Sequence, residues 1–355
     1  MRIAQVAPLY ESVPPKLYGG TERVVSNLTE ELVRQGHDVT LFASGDSVTS
    51  AKLVPQCRQG LRLSPSSVDH LALHMAMLEE VFACKHCFDI LHFHCDYLHF
   101  PWTRREKMPT VTTLHGRLDI PELPVIYRAF PEMPVVSISD SQRLHLPWLN
   151  WQGTVYHGIS NRWFRPERQP GDYLAFLGRI SPEKGPVKAI EIARRAGMKL
   201  KVAAKVDRAD QAYYETHVRA LLQQPHVEYV GEIGADEVGE FLGGAVALLF
   251  PINWPEPFGL VMIEAMACGT PVIAFPYGSV PEIIDDGITG FLARDVDSAV
   301  DAIERLPSID RRRCYETFVK RFSAKRMTED YLDVYWRIVG EEPESLAFAT
   351  GASIG

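Results

Sequence analysis

The stretch from Glu256 to Gly269, EPFGLVMIEAMACG, places two glutamates eight positions apart across a predicted junction between a loop and a helix. Prolines on both sides of Glu256 disfavour a helix there, and Gly259 permits an unusual backbone conformation. An apolar helical run then begins near Leu260 and ends at the final glycine. The pattern therefore predicts that Glu256 lies in a rigid loop and that Glu264 lies on the helix that follows.

This predicted junction is suited to an anionic or polyhydroxylated ligand. The N-terminus of a helix presents unpaired N–H groups and partial positive charge, so such a ligand can lie there with a carboxylate on either side. Glutamate side chains suit sugar hydroxyls because an ionised carboxylate only accepts hydrogen bonds. The stretch alone leaves a simpler alternative open, in which Glu256 is a surface residue and Glu264 interacts only with the helix dipole.

Short apolar runs rich in β-branched residues alternate with amphipathic helical segments along the chain, which is typical of parallel sheets covered by helices. A chain of 355 residues exceeds the usual size of a single hydrophobic core, so two domains are expected. A polar, proline-bearing stretch at 165–171 separates two sets of predicted strands, as a linker does. The predicted strands are 2–7, 39–43, 89–94, 110–114 and 134–138 in the first set, and 173–177, 199–204, 227–231, 246–250 and 271–275 in the second.

The alternation and the linker together predict an α/β protein with two domains, 1–165 and 166–323. A C-terminal helix is predicted within 324–340, and its apolar side chains are expected to pack back across the linker. The composition of the tail, 341–355, is typical of a disordered segment.

The composition excludes several classes of protein. The formal net charge is −8 and the pI is near 5.9, which argues against a general nucleic-acid binder because such proteins normally carry a basic face. The N-terminus lacks the pattern of a secretory signal, and no apolar run approaches about 18 residues. We therefore predict a cytoplasmic protein with no integral membrane segment and no nucleic-acid partner.

The six cysteines are expected to be reduced thiols rather than a disulfide framework. Cys84 and Cys87, followed by His92 and His94, raise the alternative of a zinc site. The histidines fall on the predicted strand 89–94, whose successive side chains point to opposite faces, so the candidate ligands are scattered. We predict no bound metal.

Gly19 and Gly20 precede a predicted amphipathic helix that ends at Gly36. Two glycines before a helix let the backbone approach a phosphate closely, and the helix N-terminus contributes positive potential. The pair lacks the spaced three-glycine pattern of dinucleotide-binding enzymes, so nothing in it favours NAD. An ordinary tight turn into the helix remains the alternative.

Two basic residues, Arg179 and Lys184, follow the first strand of the second set, 173–177. Arginine can grip phosphate oxygens through two N–H groups, and lysine adds a compact charge. Together they are candidates to hold a diphosphate that leaves with growing negative charge, each such contact contributing about 3–4 kcal/mol in the transition state. Taken alone, the pair also fits an ordinary solvated surface.

His115 lies at the C-terminal end of the predicted strand 110–114, where open α/β sheets place their ligands. A neutral imidazole there can hydrogen-bond a substrate hydroxyl or assist a proton transfer. A histidine with only a structural hydrogen bond is the alternative. His94 and Asp96 occupy a comparable strand end and form a second tier of candidates.

Taken together, these residues resemble a retaining family 4 glycosyltransferase. The resemblance implies the GT-B fold, in which two Rossmann-like, doubly wound parallel-sheet domains enclose an interdomain cleft. It spans nearly the whole chain, and its strongest part is 256–265, continued by 269–272 and 286–291. The other matching motifs are Gly19-Gly20, His115-Gly116, Tyr156-His157-Gly158-Ile159, Gly178-Arg179 and Lys184-Gly185.

The resemblance also implies which residues bind the donor. By resemblance, Arg179 and Lys184 bind the donor diphosphate, Glu264 binds the nucleotide ribose, and Glu256 binds the hydroxyls of the transferred sugar. The backbone amides expected to contact the same sugar are those of Phe258, Gly259, Leu260 and Val261.

The first domain, 1–165, is expected by resemblance to bind the acceptor, and the second, 166–323, to bind the donor. Gly20 would close over the distal phosphate, and His115 would lie beside the sugar near the acceptor. The expected reaction moves a hexose, by default from a UDP-sugar, to a hydroxyl of a small-molecule or glycan acceptor with retention of configuration. By resemblance the reaction requires no metal, and it requires no cofactor because the nucleotide sugar is a co-substrate. The resemblance also implies a front-side displacement in which the leaving phosphate helps to deprotonate the acceptor.

The match departs from the family pattern at two places. Many members carry a glycine-rich turn where this chain has 203–207, and Ser160 replaces a frequent aspartate. The first change affects the expected nucleotide contacts, where Lys205 is either an additional phosphate ligand or an ordinary exposed lysine.

Three other functions remain open at this point. A glycoside hydrolase also needs two carboxylates beside a glycosidic bond, but it does not need Arg179 or Lys184. A sugar-nucleotide epimerase or isomerase could use the same two-domain scaffold, because fold does not fix chemistry. A non-catalytic nucleotide-binding module would bind the donor and never turn it over.

Overall fold

The computed structural model of the chain describes residues 1–16, 19–64, 68–167 and 169–340. The strands of the first sheet are β1 Arg2–Val6, β2 Asp38–Ala43, β3 Lys52–Pro55, β4 Ile90–Phe93, β5 Thr110–Thr113, β6 Val135–Ser137 and β7 Trp151–Thr154. Those of the second sheet are β8 Tyr173–Arg179, β9 Lys199–Lys205, β10 Val227–Gly231, β11 Ala245–Phe250, β12 Val272–Ala274 and β13 Gly290–Leu292.

Both sheets are parallel and reverse their strand order beside their first strand. The first sheet has the order β3-β2-β1-β4-β5-β6-β7, and the second has the order β10-β9-β8-β11-β12-β13. Open α/β sheets bind ligands outside the carboxyl ends of their strands at such a switch point. The topology therefore directs attention to the ends of β1 and β4 in one sheet and of β8 and β11 in the other.

The helices cover the faces of the two sheets. They are α1 Gly20–Arg34, α2 His70–Ala83, α3 Phe100–Glu106, α4 Leu123–Ala129, α5 Asp140–Arg143, α6 Pro186–Arg195, α7 Gln211–Tyr213, α8 Val238–Gly243, α9 Leu260–Ala267, α10 Val280–Ile283, α11 Val296–Arg305, α12 Arg311–Phe322 and α13 Ala324–Val339. A short 3₁₀ turn, Pro182–Lys184, precedes α6.

The predicted fold class, two doubly wound parallel-sheet domains, is confirmed. Each of the ten predicted strands coincides with an observed strand within two residues at either end. Three observed strands, β3, β7 and β13, were not predicted. The first two lie at or near the sheet edges with only partly buried side chains, and the third has three residues, so none carries the buried apolar run from which a strand is predicted.

The C-terminal helix α13 packs against the first sheet rather than the second. Tyr331 and Tyr335 are fully buried in a cluster that contains Ile3 of β1 and Val24 of α1. The chain therefore returns to its first half after completing the second sheet. The domain boundaries given above stay predictions, and the predicted disordered tail, 341–355, lies outside the described residues.

The described residues were also compared with the requirements for a membrane-spanning helix, a disulfide and a metal site. No helix among them combines the length and the apolarity needed to cross a membrane. All six cysteines are free, and three of them, Cys95, Cys268 and Cys314, are buried. Within the same residues, no group of three histidine, cysteine or carboxylate side chains is arranged to hold a metal ion.

Candidate active site

A cavity of about 680 Å³ lies between the two sheets and is lined by residues from both halves of the chain. Its size is within the range of pockets that hold small-molecule ligands. The structure brings all eleven predicted site residues to its wall, namely Gly19, Gly20, His115, Arg179, Lys184, Glu256, Phe258, Gly259, Leu260, Val261 and Glu264. Their individual roles stay predictions.

Helix α9 begins at the cavity because of the backbone conformation of Gly259. This residue is the N-cap and has a φ of 82°. A β-carbon at this position would lie 2.8 Å from Cε of Met262 and 3.2 Å from Cζ of Phe250. Glycine adopts the left-handed conformation without steric cost, so the chain can turn here from the loop into the helix. The N–H groups of the first turn, which have no partner within a helix, thereby lie at the cavity wall.

The loop that carries Glu256 is held by the segment after β12. Ser279 donates its backbone N–H to the carbonyl of Glu256 at 3.0 Å and its hydroxyl to the carbonyl of Phe258 at 2.8 Å. At Gly278, where φ is 61°, a β-carbon would lie only 2.4 Å from the backbone nitrogen of Glu256. These contacts explain why the loop that carries Glu256 is rigid, as the prolines on both sides of this residue indicate.

The N-terminus of α1 approaches the same cavity from the first half of the chain. A β-carbon on Gly19 would lie 2.7 Å from Cβ of Pro15, so the turn into the helix leaves no room for a side chain. A β-carbon on Gly20 would lie 3.8 Å from Cδ1 of Leu260. The first residues of α1 and α9 therefore lie close together across the cleft.

Lys184 and Glu256 form an ion pair at the cavity wall. The indole N–H of Trp254 donates to the same Oε2 atom of Glu256 at 3.0 Å, and Nζ of Lys184 lies 5.1 Å from the centre of the Trp254 ring. Glu256 is 8% exposed. The predicted phosphate ligand and the predicted sugar ligand are therefore in direct contact.

Arg179 is surrounded by carboxylates that the sequence analysis did not anticipate. Its guanidinium forms an ion pair with Glu183, and it lies 3.7 Å from Asp207 and 3.3 Å from Asp210. Lys205, considered above as a phosphate ligand, forms an ion pair with Asp207 at 3.1 Å. A ligand anion that binds Arg179 must therefore compete with protein carboxylates.

Glu264 forms an ion pair with Arg23, which the sequence analysis did not identify as a site residue. Arg23 lies on the first turn of α1, three residues after Gly20, and it lines the cavity. Its position beside the glycine pair is the signal that could have pointed to it. The carboxylate of Glu264 is 4% exposed, so this contact between the two halves of the chain is largely shielded from water.

His115 lies within a group of histidines at the cavity. Its Nε2 atom lies 2.8 Å from Nδ1 of His94, and its ring is stacked on that of His157 with centres 5.2 Å apart. Burial lowers the pKa of His115 to about 3 and lowers the pKa of His94 well below its ordinary value. Both rings are therefore neutral near pH 7, which is the form considered above for His115.

Asp96, a second-tier candidate, also lines the cavity. It has a φ of 50°, which is unusual for a residue other than glycine. Desolvation raises the pKa of its carboxyl to about 6. A left-handed backbone and a perturbed pKa are both more frequent at functional sites, and here they occur two residues after His94.

Comparison with known proteins gives two matches that together cover most of the chain. Residues 18–165 match the family model described as Glycosyltransferase Family 4, and residues 160–318 match the model described as Glycosyl transferases group 1. The chain is 27% identical to N-acetyl-alpha-D-glucosaminyl L-malate synthase of Bacillus anthracis, over 91% of this chain and 95% of that protein.

A second relative is the D-inositol 3-phosphate glycosyltransferase of Saccharomonospora viridis, with 31% identity over 51% of this chain. The match spans about half of that protein's length, 49%.

Among solved structures, Anabaena Alr3699/HepE in complex with UDP-glucose superimposes with a TM-score of 0.71 at 17% identity, covering 94% of this chain and 99% of the other. At this identity the superposition shows the fold alone.

Proposed function

The chain belongs to the family 4 type of glycosyltransferases with the GT-B fold, and from that premise we propose that it moves a hexose from a nucleotide-diphosphate sugar to a hydroxyl acceptor with retention of configuration. The observation that carries the proposal is the cavity between the two sheets. It combines two helix N-termini and the basic side chains of Arg179 and Lys184 with Glu256 and Glu264, so groups suited to a diphosphate and groups suited to sugar hydroxyls share one wall.

The diphosphate is assigned to Arg179 and Lys184. Arg179 is the last residue of β8, and Lys184 ends the short 3₁₀ turn that follows this strand. Both are held by a carboxylate in the structure, Glu183 and Glu256 respectively. When the donor binds, phosphate oxygens would replace these carboxylates as partners of the cations. The exchange leaves Glu256 free to accept hydrogen bonds from the hydroxyls of the transferred sugar. Binding of the donor would therefore provide ligands for both the diphosphate and the sugar.

The chemical step needs no nucleophile from the protein. The bond between the anomeric carbon and the phosphate oxygen breaks while the acceptor oxygen forms its bond on the same face of the sugar, and the acceptor proton moves to the departing phosphate. Negative charge then grows on the diphosphate, where Arg179, Lys184 and the N-termini of α1 and α9 can stabilise it. Because these groups supply positive charge, we propose that the reaction proceeds without a metal ion.

The default donor is a UDP-hexose. In support, the related fold of Alr3699/HepE is known with UDP-glucose bound. The names of the two relatives give one acceptor that carries a phosphate and one that carries carboxylates, inositol 3-phosphate and L-malate. We propose a small hydroxylated acceptor for this chain as well, bound on the side of the cavity formed by the first sheet.

A glycoside hydrolase fits the geometry less well. It needs one carboxyl group that donates a proton to the leaving oxygen. Here the carboxylates of both Glu256 and Glu264 are already engaged in ion pairs, with Lys184 and Arg23. A hydrolase also has no use for two helix N-termini at the site.

The proposal is tested first by ligand-dependent stability. The thermal midpoint Tm is measured with UDP, GDP, ADP and CMP and with their common sugar conjugates, because a ligand that binds only the native state raises its stability by about 2.7 kcal/mol at 100 times its Kd. We expect one nucleotide family to raise Tm in the wild type and to have little effect on Lys184→Ala. No shift with any nucleotide at saturating concentration would overturn the assignment.

The stabilising conjugate is then incubated with and without hydroxyl acceptors, and the products are identified by mass spectrometry and NMR. Transfer to an acceptor with the anomeric configuration of the donor supports the proposed reaction. Conversion of the donor to an isomer without acceptor would identify an epimerase instead, and a bound donor that is never consumed would identify a binding module.

A further inference from the structure

A series of buried hydrogen bonds connects the cavity with the C-terminal helix α13. From His115 the path goes to Nδ1 of His94, and Nε2 of His94 lies 2.8 Å from Oε1 of Gln5. The amide nitrogen of Gln5 lies 3.0 Å from the hydroxyl of Tyr335. Gln5 and Tyr335 are 0% exposed and His94 is 3% exposed. The path therefore joins the cavity wall to α13 through the protein interior.

The hydroxyl of Tyr335 has a second partner on the other side. It lies 2.6 Å from Nδ1 of His92, whose Nε2 atom lies 2.7 Å from the hydroxyl of Thr113. Thr113 in turn lies 2.8 Å from the hydroxyl of Tyr331. Tyr335 can thus accept from the amide of Gln5 and donate to His92, which satisfies both functions of its hydroxyl.

The path determines which nitrogen of His115 carries the proton. The amide oxygen of Gln5 can only accept, so Nε2 of His94 must donate to it. A neutral imidazole has one N–H group, so Nδ1 of His94 is an acceptor and Nε2 of His115 donates to it. The remaining nitrogen, Nδ1 of His115, is then an acceptor. It is buried and makes no hydrogen bond with any residue that the structure describes.

We propose that Tyr335 is a positioning residue for the transfer reaction: its hydroxyl holds the amide of Gln5 in one orientation and thereby fixes His115 in the tautomer protonated at Nε2. This step concerns the free protein. Its consequence rests on the proposed function: a donor that displaces the side chains covering Nδ1 of His115 would bring a sugar hydroxyl to this atom, whose lone pair would accept its hydrogen bond.

The hydroxyl of Tyr335 is needed because the amide of Gln5 can be satisfied in two ways. If the amide is reversed, its N–H group donates to Nε2 of His94. His94 then carries its proton on Nδ1 and donates to His115, which in turn is protonated on Nδ1 and can only donate at that atom. In the absence of the Tyr335 hydroxyl, the amide N–H group keeps only a long contact of 3.5 Å with Nδ1 of His92, and the reversed orientation becomes competitive.

The tautomer can be read directly by NMR. In protein labelled with ¹⁵N-histidine, spectra that correlate ring nitrogens with ring protons separate protonated from unprotonated nitrogens, and His115 is assigned from the signals lost in His115→Gln. We expect wild-type His115 to be protonated at Nε2 alone and Tyr335→Phe to show protonation at Nδ1 as well. Protonation at Nδ1 in the wild type overturns the proposal. This measurement needs no donor, so its outcome is independent of the proposed function.

Tyr331→Phe is the matched control because it removes a buried hydroxyl from the same helix at the far end of the path. We expect it to leave the tautomer of His115 unchanged, and an equal change in both variants would contradict the specific role of Tyr335. If Tyr335→Phe does not fold, Gln5→Met removes the amide itself, and an unchanged tautomer in that variant would overturn the proposal.

The consequence for the reaction is measured separately with a UDP-hexose as donor. Loss of one hydrogen bond to the sugar predicts that kcat/KM falls about threefold to tenfold in Tyr335→Phe and not in Tyr331→Phe. An altered tautomer with unchanged kinetics would refute the contact between His115 and the sugar, while transfer itself would still demonstrate the proposed function.

Discussion

Arg23 on α1 and Glu264 on α9 form an ion pair across the cleft that separates the two sheets. The two residues are 241 positions apart in the chain, and both line the cavity. The carboxylate that the family resemblance assigns to the nucleotide ribose is therefore occupied by a side chain from the opposite half of the protein. Binding of a ribose at Glu264 must exchange this contact for hydrogen bonds from hydroxyl groups.

Arg23→Gln is expected to destabilise the free protein and to increase the stabilisation that a nucleotide provides. Glu264 loses its charged partner in a poorly solvated place, which costs about 1–3 kcal/mol. The nucleotide, in turn, no longer has to displace the arginine. The free energy of unfolding is measured by urea denaturation with and without UDP. Arg34→Gln on the same helix, which breaks an exposed pair with Glu31, is the control. Equal nucleotide stabilisation in wild type and Arg23→Gln would contradict competition at Glu264.

Lys184→Ala is expected to remain folded and to lose transfer activity by about a hundredfold or more, because one preorganised cation contributes about 3–4 kcal/mol when charge develops on a leaving group. Glu256→Ala is likewise expected to remain folded and to lose transfer activity, because it removes the carboxylate assigned to the hydroxyls of the sugar. The control is Lys188→Ala, which removes a lysine from the next turn whose ammonium lies over Phe275 and not at the cavity. Circular dichroism verifies folding, and kcat/KM is measured for the donor. Unchanged turnover in Lys184→Ala would refute the phosphate assignment.

Glu183→Gln is expected to tighten binding of the nucleotide diphosphate. The carboxylate of Glu183 is the ion-pair partner of Arg179, so it competes with phosphate oxygens for the guanidinium. A neutral amide competes less, and Kd for UDP is expected to fall about threefold to tenfold by calorimetry. Glu191→Gln, an exposed position on α6, makes the same change in net charge away from the cavity and is expected to leave Kd unchanged. Weaker binding in Glu183→Gln would mean that Glu183 orients Arg179 rather than competes for it.

Local patterns in the sequence, together with the family resemblance, were sufficient to predict the fold and eleven of the residues that line the cavity. Buried strands carry continuous apolar runs, and the loop-to-helix junction at Gly259 is encoded by prolines and a glycine within a few residues. The ion pair between Arg23 and Glu264 and the hydrogen bond between Gln5 and Tyr335 join positions 241 and 330 residues apart. No local spacing encodes such contacts, because they depend on how the two halves of the chain approach each other.

The carboxylates around Arg179 illustrate a second kind of contact that cannot be predicted from the sequence. Asp207 and Asp210 follow β9, whereas Arg179 ends β8, and the two strand ends become neighbours only through the pairing of Arg179 with Lys205. The sequence alone shows that 203–207 departs from the family pattern. It could not show that the departure places an aspartate beside the predicted phosphate ligand.

Gly259→Ala is expected to lower both stability and ligand binding. The left-handed conformation costs roughly 1–2 kcal/mol for a residue with a β-carbon, and the added carbon would also collide with Met262 and displace the first turn of α9. Gly287→Ala is the matched control, since Gly287 has a φ of 76° but no atom within 4 Å of the added carbon. Gly259→Ala is expected to lose at least as much stability in urea as Gly287→Ala, and only Gly259→Ala is expected to lose the Tm shift with UDP. Retained nucleotide binding in Gly259→Ala would contradict a role for the N-terminus of α9.

The buried histidines predict a loss of stability in mild acid, and His99 is the best residue to test because its neutral ring bonds Thr103 and Thr112 away from the cavity. Burial lowers the pKa of His99 to about 3, below its ordinary value of 6.5. Between these two values the unfolded chain binds a proton that the native ring does not, so the free energy of unfolding falls as the pH falls below 6.5 and is unaffected above it.

Each such histidine contributes a slope of about 1.4 kcal/mol per pH unit. Urea denaturation at several pH values between 6 and 5 is therefore expected to give a shallower slope for His99→Gln than for the wild type, by about that amount. His86→Gln, at an exposed position, provides the control. Identical slopes in all three proteins would mean that His99 takes up its proton in the native state.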